Sequence, residues 1–156
     1  MRRNSGITII EFTLISTALL VLILGVIEVG RYMYSLQLIN EMTRVAARLG
    51  VVCNVSDQDD IPALAVPDNA PGGFTAANLS LDYLDSTGTP IVGDPITDED
   101  VFLTIRYVRA EVVDFDYQFS GLLSFMQGVI AVPSFETILP RENLGEIRGS
   151  TTDTDC

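Results

Sequence analysis

The sequence predicts an α+β protein, in which a long N-terminal membrane-spanning helix is followed by a small antiparallel β-sheet domain. Residues 12–27 form an apolar run without a charged side chain, and alternating apolar and polar residues recur after residue 78. The first pattern is typical of a helix in lipid and the second of strands. Charge divides the chain in the same way: residues 1–50 hold five Arg and three Glu, and the remainder holds four Arg and eighteen acids.

The overall composition disfavours several classes of function. The 156 residues include 9 basic and 21 acidic side chains, for a net charge of −12. So acidic a chain is a poor match for nucleic acid. Histidine, the commonest general base and metal ligand, is absent from the sequence, and no nucleophile–base pairing or phosphate-binding motif is present. We therefore expect no enzymatic activity, cofactor, metal or small-molecule substrate.

The N-terminal region reads as a basic leader, residues 1–6, followed by a membrane span. From Ile7 to Ile27 the only charge is Glu11, and at 1.5 Å per residue this helix would cross a hydrocarbon core of about 30 Å. Positive charge before the span keeps the N-terminus in the cytoplasm and sends the acidic remainder across the membrane. A cleaved secretory signal is disfavoured, because Glu28 stands where small residues would be needed.

The helical pattern continues beyond the membrane boundary, so one assembly helix is predicted over residues 7–50, with Gly50 as its stop signal. Its outer half must pack against the rest of the chain along an apolar stripe, which lies away from the charged residues. The predicted stripe is Val29, Tyr32, Met33, Leu36, Ile39, Thr43, Ala46, Ala47 and Gly50. The charged residues off it are Glu28, Arg31, Glu41, Arg44 and Arg48, with ion pairs expected for Glu28/Arg31 and Glu41/Arg44.

The part beyond the helix divides into three regions. Residues 51–78 are rich in Asp, Pro and Gly and are predicted to be a connection with a helical turn near Ile61–Ala65. The antiparallel β domain is expected over 79–145, and residues 146–156 form a polar tail.

Within the β domain, alternation predicts strands at 79–84, 101–108 and 113–119, with turn chemistry at 85–90. Residues 109–111 are predicted to be a bulge or a turn. A short helix or apolar loop is expected at 121–126. The last strand, within 129–139, contains Pro133 and should therefore lie at a sheet edge or contain a bulge.

Cys53 and Cys156 are the only thiols, and both lie in the exterior portion. In an oxidising compartment they would form a disulfide that closes a loop of about 100 residues and stabilises a small domain. The alternative is two unpaired thiols. The acidic clusters at 57–60 and 98–100 lack the glycine and distal Glu of a calcium loop, so we interpret them as solvated loops.

The N-terminal residues resemble the class III signal of the type IV pilin superfamily. A short basic leader ends at Gly6 and is followed by Ile7, with Glu11 at the fifth position after the glycine and Phe12 next to it. The resemblance implies cleavage by a prepilin peptidase between Gly6 and Ile7. The alternative is that Thr8 and Glu11 form a capping box at the helix start.

The helix also resembles the TadE-like family, the minor pilins or pseudopilins of tight-adherence (Flp-type) pilus systems. The matching residues are Glu28, Gly30, Arg31, Tyr34, Gln37, Asn40 and Arg48. The resemblance implies a pilin-like fold in the bacterial inner membrane with the domain on the periplasmic side. It also implies assembly with other pilins and pilus-assembly proteins, as part of an adhesive or secretory structure. The alternative is a single-pass exterior domain, ligand-binding or enzyme-accessory, that no prepilin peptidase processes.

Overall fold

A computed structural model of the protein describes residues 5–126, 132–146 and 156. Three α-helices, three strands and three short 3-10 helices make up the described fold. They are α1 (Ser5–Val52), α2 (Ile61–Ala65), α3 (Glu99–Thr104), β1 (Leu79–Leu84), β2 (Tyr107–Val112) and β3 (Glu136–Pro140), with 3-10 helices at Val55–Asp57, Ala76–Asn78 and Gly121–Met126. A long apolar helix followed by a small antiparallel sheet confirms the predicted α+β class.

Helix α1 is a single element that extends beyond both predicted ends. Its 48 residues make it about 72 Å long at 1.5 Å per residue. The predicted stop at Gly50 is wrong, because the helix continues to Val52. Gly50 lies instead against the sheet, where a Cβ would come within 2.8 Å of Val108 Cγ1. The glycine therefore allows a close approach between helix and sheet.

The two halves of α1 have opposite environments. The apolar side chains of the first half are exposed, whereas the second half buries one face against the domain. The buried residues are Glu28, Tyr32, Ser35, Ile39, Met42, Thr43, Ala46, Ala47, Gly50 and Val51. Much of the predicted stripe is confirmed, but Val29 and Met33 are about half exposed, and the prediction that Glu28 lies off the stripe is wrong.

The sheet is antiparallel with strand order β1-β2-β3. Leu79 pairs with Val112, and Glu111 pairs with Glu136 on the other side of β2. The outer half of α1 packs on α2 and, within the sheet, mainly on β2 and β3. The Thr137 hydroxyl of β3 donates to the Thr43 hydroxyl at 3.4 Å. Strand β3 lies at the sheet edge, as Pro133 predicted, although residues 129–131 of that predicted strand lie outside the described residues.

The first part of the predicted strand over 101–108 is wrong, because residues 101–104 lie in α3, whereas its last two residues begin β2. Asp98 caps this helix by accepting a 3.0 Å bond from the Asp100 amide, and acidic side chains in a first turn favour a helix start. Strand β2 then includes the residues predicted as a bulge or turn. Within it Arg109 faces Asp82 across the strand pair at 2.7 Å, so these polar residues are the solvent face of a regular strand.

The predicted strand over 113–119 is also wrong, although its alternation is real. Phe115, Tyr117 and Phe119 are buried or half-buried, whereas Asp114 and Asp116 are exposed. This extended segment pairs with no strand in the described part of the chain and instead lies on α1. An alternating pattern indicates that one side of an extended segment is buried. In this segment α1 covers the buried side.

The region predicted as a connection folds onto α1 and contributes to the core. Helix α2 occupies the predicted position, and its Ile61 is fully buried beside Ala46 and Cys53. Phe74 packs with Ile39 and meets the Phe115 ring edge-on at 5.0 Å. The turn after β1 has the expected chemistry, since the Asp85 carboxylate accepts from the Thr87 and Thr89 amides.

Tyr83 gives the β domain an alkaline stability limit. Its hydroxyl is buried without a hydrogen-bond partner among the described residues, and burial, with a smaller contribution from Asp57, raises the pKa of Tyr83 to about 12. This contribution to stability is complete below the unfolded pKa of about 10 and is lost as the pH rises towards 12, by up to about 1.4 kcal/mol per pH unit.

Tyr83→Phe should remove this alkaline loss at little cost near neutral pH, because no hydrogen bond is broken. The measurement is the free energy of unfolding of both proteins at about pH 9 and about pH 11. The other tyrosines are the same in both proteins. Equal losses in the two proteins between these pH values would contradict the prediction.

Candidate functional site

The first half of α1 presents a continuous apolar surface to its surroundings. Among the described residues, α1 is the helix that is long and apolar enough to cross a membrane, judged by length and composition. Two of its hydroxyls are bonded within the helix, since Thr13 donates to the Ile10 carbonyl at 2.8 Å and Thr17 to the Thr13 carbonyl at 2.7 Å. Internally bonded hydroxyls do not interrupt an apolar surface.

The predicted processing and assembly residues lie in the first two turns of this surface. Gly6 and Ile7 are both helical, and Glu11 and Phe12 are exposed. Because α1 already begins at Ser5, Thr8 lies inside the helix and is not its cap. The capping-box interpretation of Glu11 is therefore wrong, and the carboxylate is open to groups outside the chain.

Most of the motif residues in the second half of α1 are exposed. Gly30, Arg31, Tyr34, Gln37, Asn40 and Arg48 are all exposed. Tyr34, Gln37, Glu41, Arg44 and Arg48 recur at steps of three and four residues, so they share one helix face, which we call the outer face. The predicted Glu41–Arg44 pair is confirmed at 3.6 Å, with both side chains mostly exposed. Among the described residues, the outer face contributes no buried side chain to the core.

Glu28 is the motif residue that faces inward. It is 7% exposed, and its Oε2 accepts a 3.0 Å hydrogen bond from the Leu123 amide, while Oε1 has no partner among the described residues. Arg31 donates instead to the Ser120 hydroxyl at 3.2 Å. The predicted Glu28–Arg31 pair is thus not formed within the described chain, because each side chain binds the segment that follows β2.

An aromatic cluster fastens the same segment to α1 one turn further on. The Tyr32 ring lies 5.1 Å from the Tyr117 ring and 5.4 Å from the Phe119 ring. Tyr117 and Phe119 meet edge-on at 5.0 Å. Such pairs add about 0.5–1.5 kcal/mol each beyond the area that they bury. Tyr32 therefore contributes to packing within the chain, whereas Tyr34 remains on the outer face.

A disulfide lies where α1 ends. Cys53 and Cys156 are bonded, with their Cα atoms 5.7 Å apart, and the Cys156 amide donates to Asp57 Oδ2 at 2.9 Å. Of the tail, residues 147–155 lie outside the described part of the chain. Asp85 and Asp98 serve a local turn and a helix cap. No group of three or more potential metal ligands occurs among the described residues.

Comparison with protein families finds a match for α1. Residues 6–48 match a family model described as TadE-like protein, which agrees with the resemblance predicted from the sequence. The match covers α1 from Gly6 to Arg48 and none of the β domain. Searches of curated proteins and of solved structures found no match. The matched region thus coincides with the apolar surface and the outer face of one helix.

Proposed function

We propose that this protein, whose N-terminal helix is TadE-like, is a minor pilin or pseudopilin of a Flp-type pilus or a related secretion machine. Its role in this proposal is structural and not enzymatic. The match supports a pilus-associated membrane protein in general, and the specific subunit role is argued from the geometry of α1.

The observation that carries the proposal is the exposure of the residues that resemble the family. Tyr34, Gln37 and Arg48 make no contribution to the buried face of α1. Side chains that a monomer leaves exposed are available to a neighbouring subunit, and Arg and Tyr are enriched in protein interfaces. The outer face is therefore the surface through which α1 would pack beside the helix of another pilin.

Glu11 has a second role in this proposal. A carboxylate in the apolar part of a membrane helix is costly unless it meets a cation or hydrogen-bond donors, and Glu11 is exposed on the surface of α1. A prepilin peptidase that cuts after Gly6 would create a new amine at Ile7. That amine, on this chain or on a neighbour, is the cation that would set the register between subunits.

The first experiment measures the mature N-terminus by intact mass, in cells with and without a prepilin peptidase. We expect a chain that begins at Ile7 when the peptidase is present and at Met1 when it is not. A chain that begins at Met1 in both would contradict processing, and it would favour the alternative of an unprocessed membrane-anchored exterior domain.

The second experiment tests assembly with Glu11→Leu. We expect normal processing but loss of pilus output, because the register contact is gone. Thr13→Val is the matched control: it removes a nearby hydroxyl that bonds only the helix backbone and should leave pilus output unchanged. Full pilus output from Glu11→Leu would refute the assembly role of Glu11.

A further inference from the structure

The segment after β2 runs along α1 towards the apolar half of the helix. Phe115 packs beside Ile39, Phe119 meets Tyr32, and the Leu123 amide bonds Glu28. The contacts thus move down the helix by about 16 Å, since each residue of α1 rises 1.5 Å. The 3-10 helix Gly121–Met126, which we call the tip segment, follows at the lower end.

The tip segment lies at the boundary of the predicted membrane span. Glu28, which binds it, is the residue immediately after Ile27, the last residue of the uncharged apolar run. The stretch from Ile7 to Ile27 already fills a hydrocarbon core of about 30 Å. With α1 inserted in this way, the tip segment reaches the headgroup level.

The chemistry of the tip segment is that of a membrane interface. Its sequence is GLLSFM, and no charged residue occurs from Tyr117 to Phe135, although the chain after residue 50 holds eighteen acids. Phe125 is 76% exposed, so the domain leaves this ring uncovered. Aromatic and leucine side chains are the ones that interfacial segments place at the headgroup and acyl boundary.

We propose that the tip segment inserts into the membrane interface beside α1 and holds the β domain against the lipid surface. This inference rests on the membrane anchoring in the proposed function. Glu28 and Tyr32 position the segment from the helix side, while Phe125 contacts lipid. The β domain would then be attached to the membrane by two elements, α1 and the tip segment.

The test uses the fact that the natural chain has no Trp. Phe125→Trp introduces a single fluorophore at an exposed position, so the core is untouched. The full chain, with its disulfide intact, is placed in phosphatidylcholine vesicles whose acyl chains are brominated near the headgroup. We expect blue-shifted emission and loss of at least about half of its intensity, since interfacial segments bury side chains 5–10 Å deep.

Two matched variants separate the possible outcomes. Val92→Trp places the fluorophore at a 94% exposed position in the loop after β1 and should be neither shifted nor quenched. Leu22→Trp lies within the apolar run and should emit from a dry environment, whatever the tip segment does. If the emission of Phe125→Trp is neither shifted nor quenched while that of Leu22→Trp is blue-shifted, lipid contact by the tip segment is overturned. The membrane anchoring by α1 is then still supported. A Leu22→Trp exposed to water would overturn both.

Discussion

Cys156→Ser should lower the free energy of unfolding of the β domain by about 4–5 kcal/mol in the chain-entropy model, because the bridge to Cys53 spans 103 residues. The domain is small for a single core, and a long closed loop restricts its unfolded state most. Hydrogen exchange of the β2 amides, in the full chain in lipid nanodiscs, measures this loss.

Reduction of the natural protein supplies the control for this prediction. The reduced protein and Cys156→Ser should exchange at the same rate, and a reductant should have no effect on Cys156→Ser. Cys156 is exposed, so its replacement leaves the packing around Cys53 in place. Unchanged exchange in both the reduced protein and the variant would mean that the disulfide does not hold the domain.

Gly145→Ala should destabilise the domain by about 3 kcal/mol, because two penalties combine at this position. Gly145 has a φ of +84°, and a Cβ there would lie 2.6 Å and 2.7 Å from the Asn54 Cα and N atoms. Backbone atoms do not move aside as a flexible side chain can. The preceding Leu144 is 1% exposed in the core and donates its amide to Val51 at 3.2 Å, so the shift would pull on the end of α1.

Gly73→Ala is the matched control, since Gly73 has a similar φ of +86° but nothing within 4 Å of its Cβ position. It should cost about 1 kcal/mol, which is the penalty of the left-handed backbone alone. Hydrogen exchange of the β2 amides again gives both values. Equal losses of unfolding free energy in Gly145→Ala and Gly73→Ala would show that the contact with Asn54 does not destabilise the domain.

Local sequence patterns correctly predicted the elements whose pattern is typical of a single kind of secondary structure. The apolar run and its extension formed a long helix, and both the Ile61–Ala65 turn and strand β1 appeared at their predicted places. At 101–104, the first half of the strand predicted over 101–108, the same reasoning failed. Alternating apolar residues suggested a strand there, but the cap at Asp98 and the acids behind it selected a helix.

The inward position of Glu28 could not be predicted, because a charged residue is normally placed on the exposed side of a helix. Its burial depends on the Leu123 amide, which is distant in sequence and meets it only once the segment after β2 lies along α1. Three residues of the outer face, Tyr34, Gln37 and Arg48, were identified from the sequence by their resemblance to the family. That all of them are exposed was visible only in the structure.

The sequence by itself determined the long apolar helix, the acidic domain after it and the TadE-like character of the helix, because periodicity and charge are properties of neighbouring residues. Tertiary structure decided which side of α1 the domain covers and which side it leaves free. It also decided that Phe115, Tyr117 and Phe119 pack on a helix and not in a sheet. Those outcomes depend on contacts between segments that are distant in sequence. An extended segment buried on one side has the same alternating sequence whether a helix or a sheet covers that side.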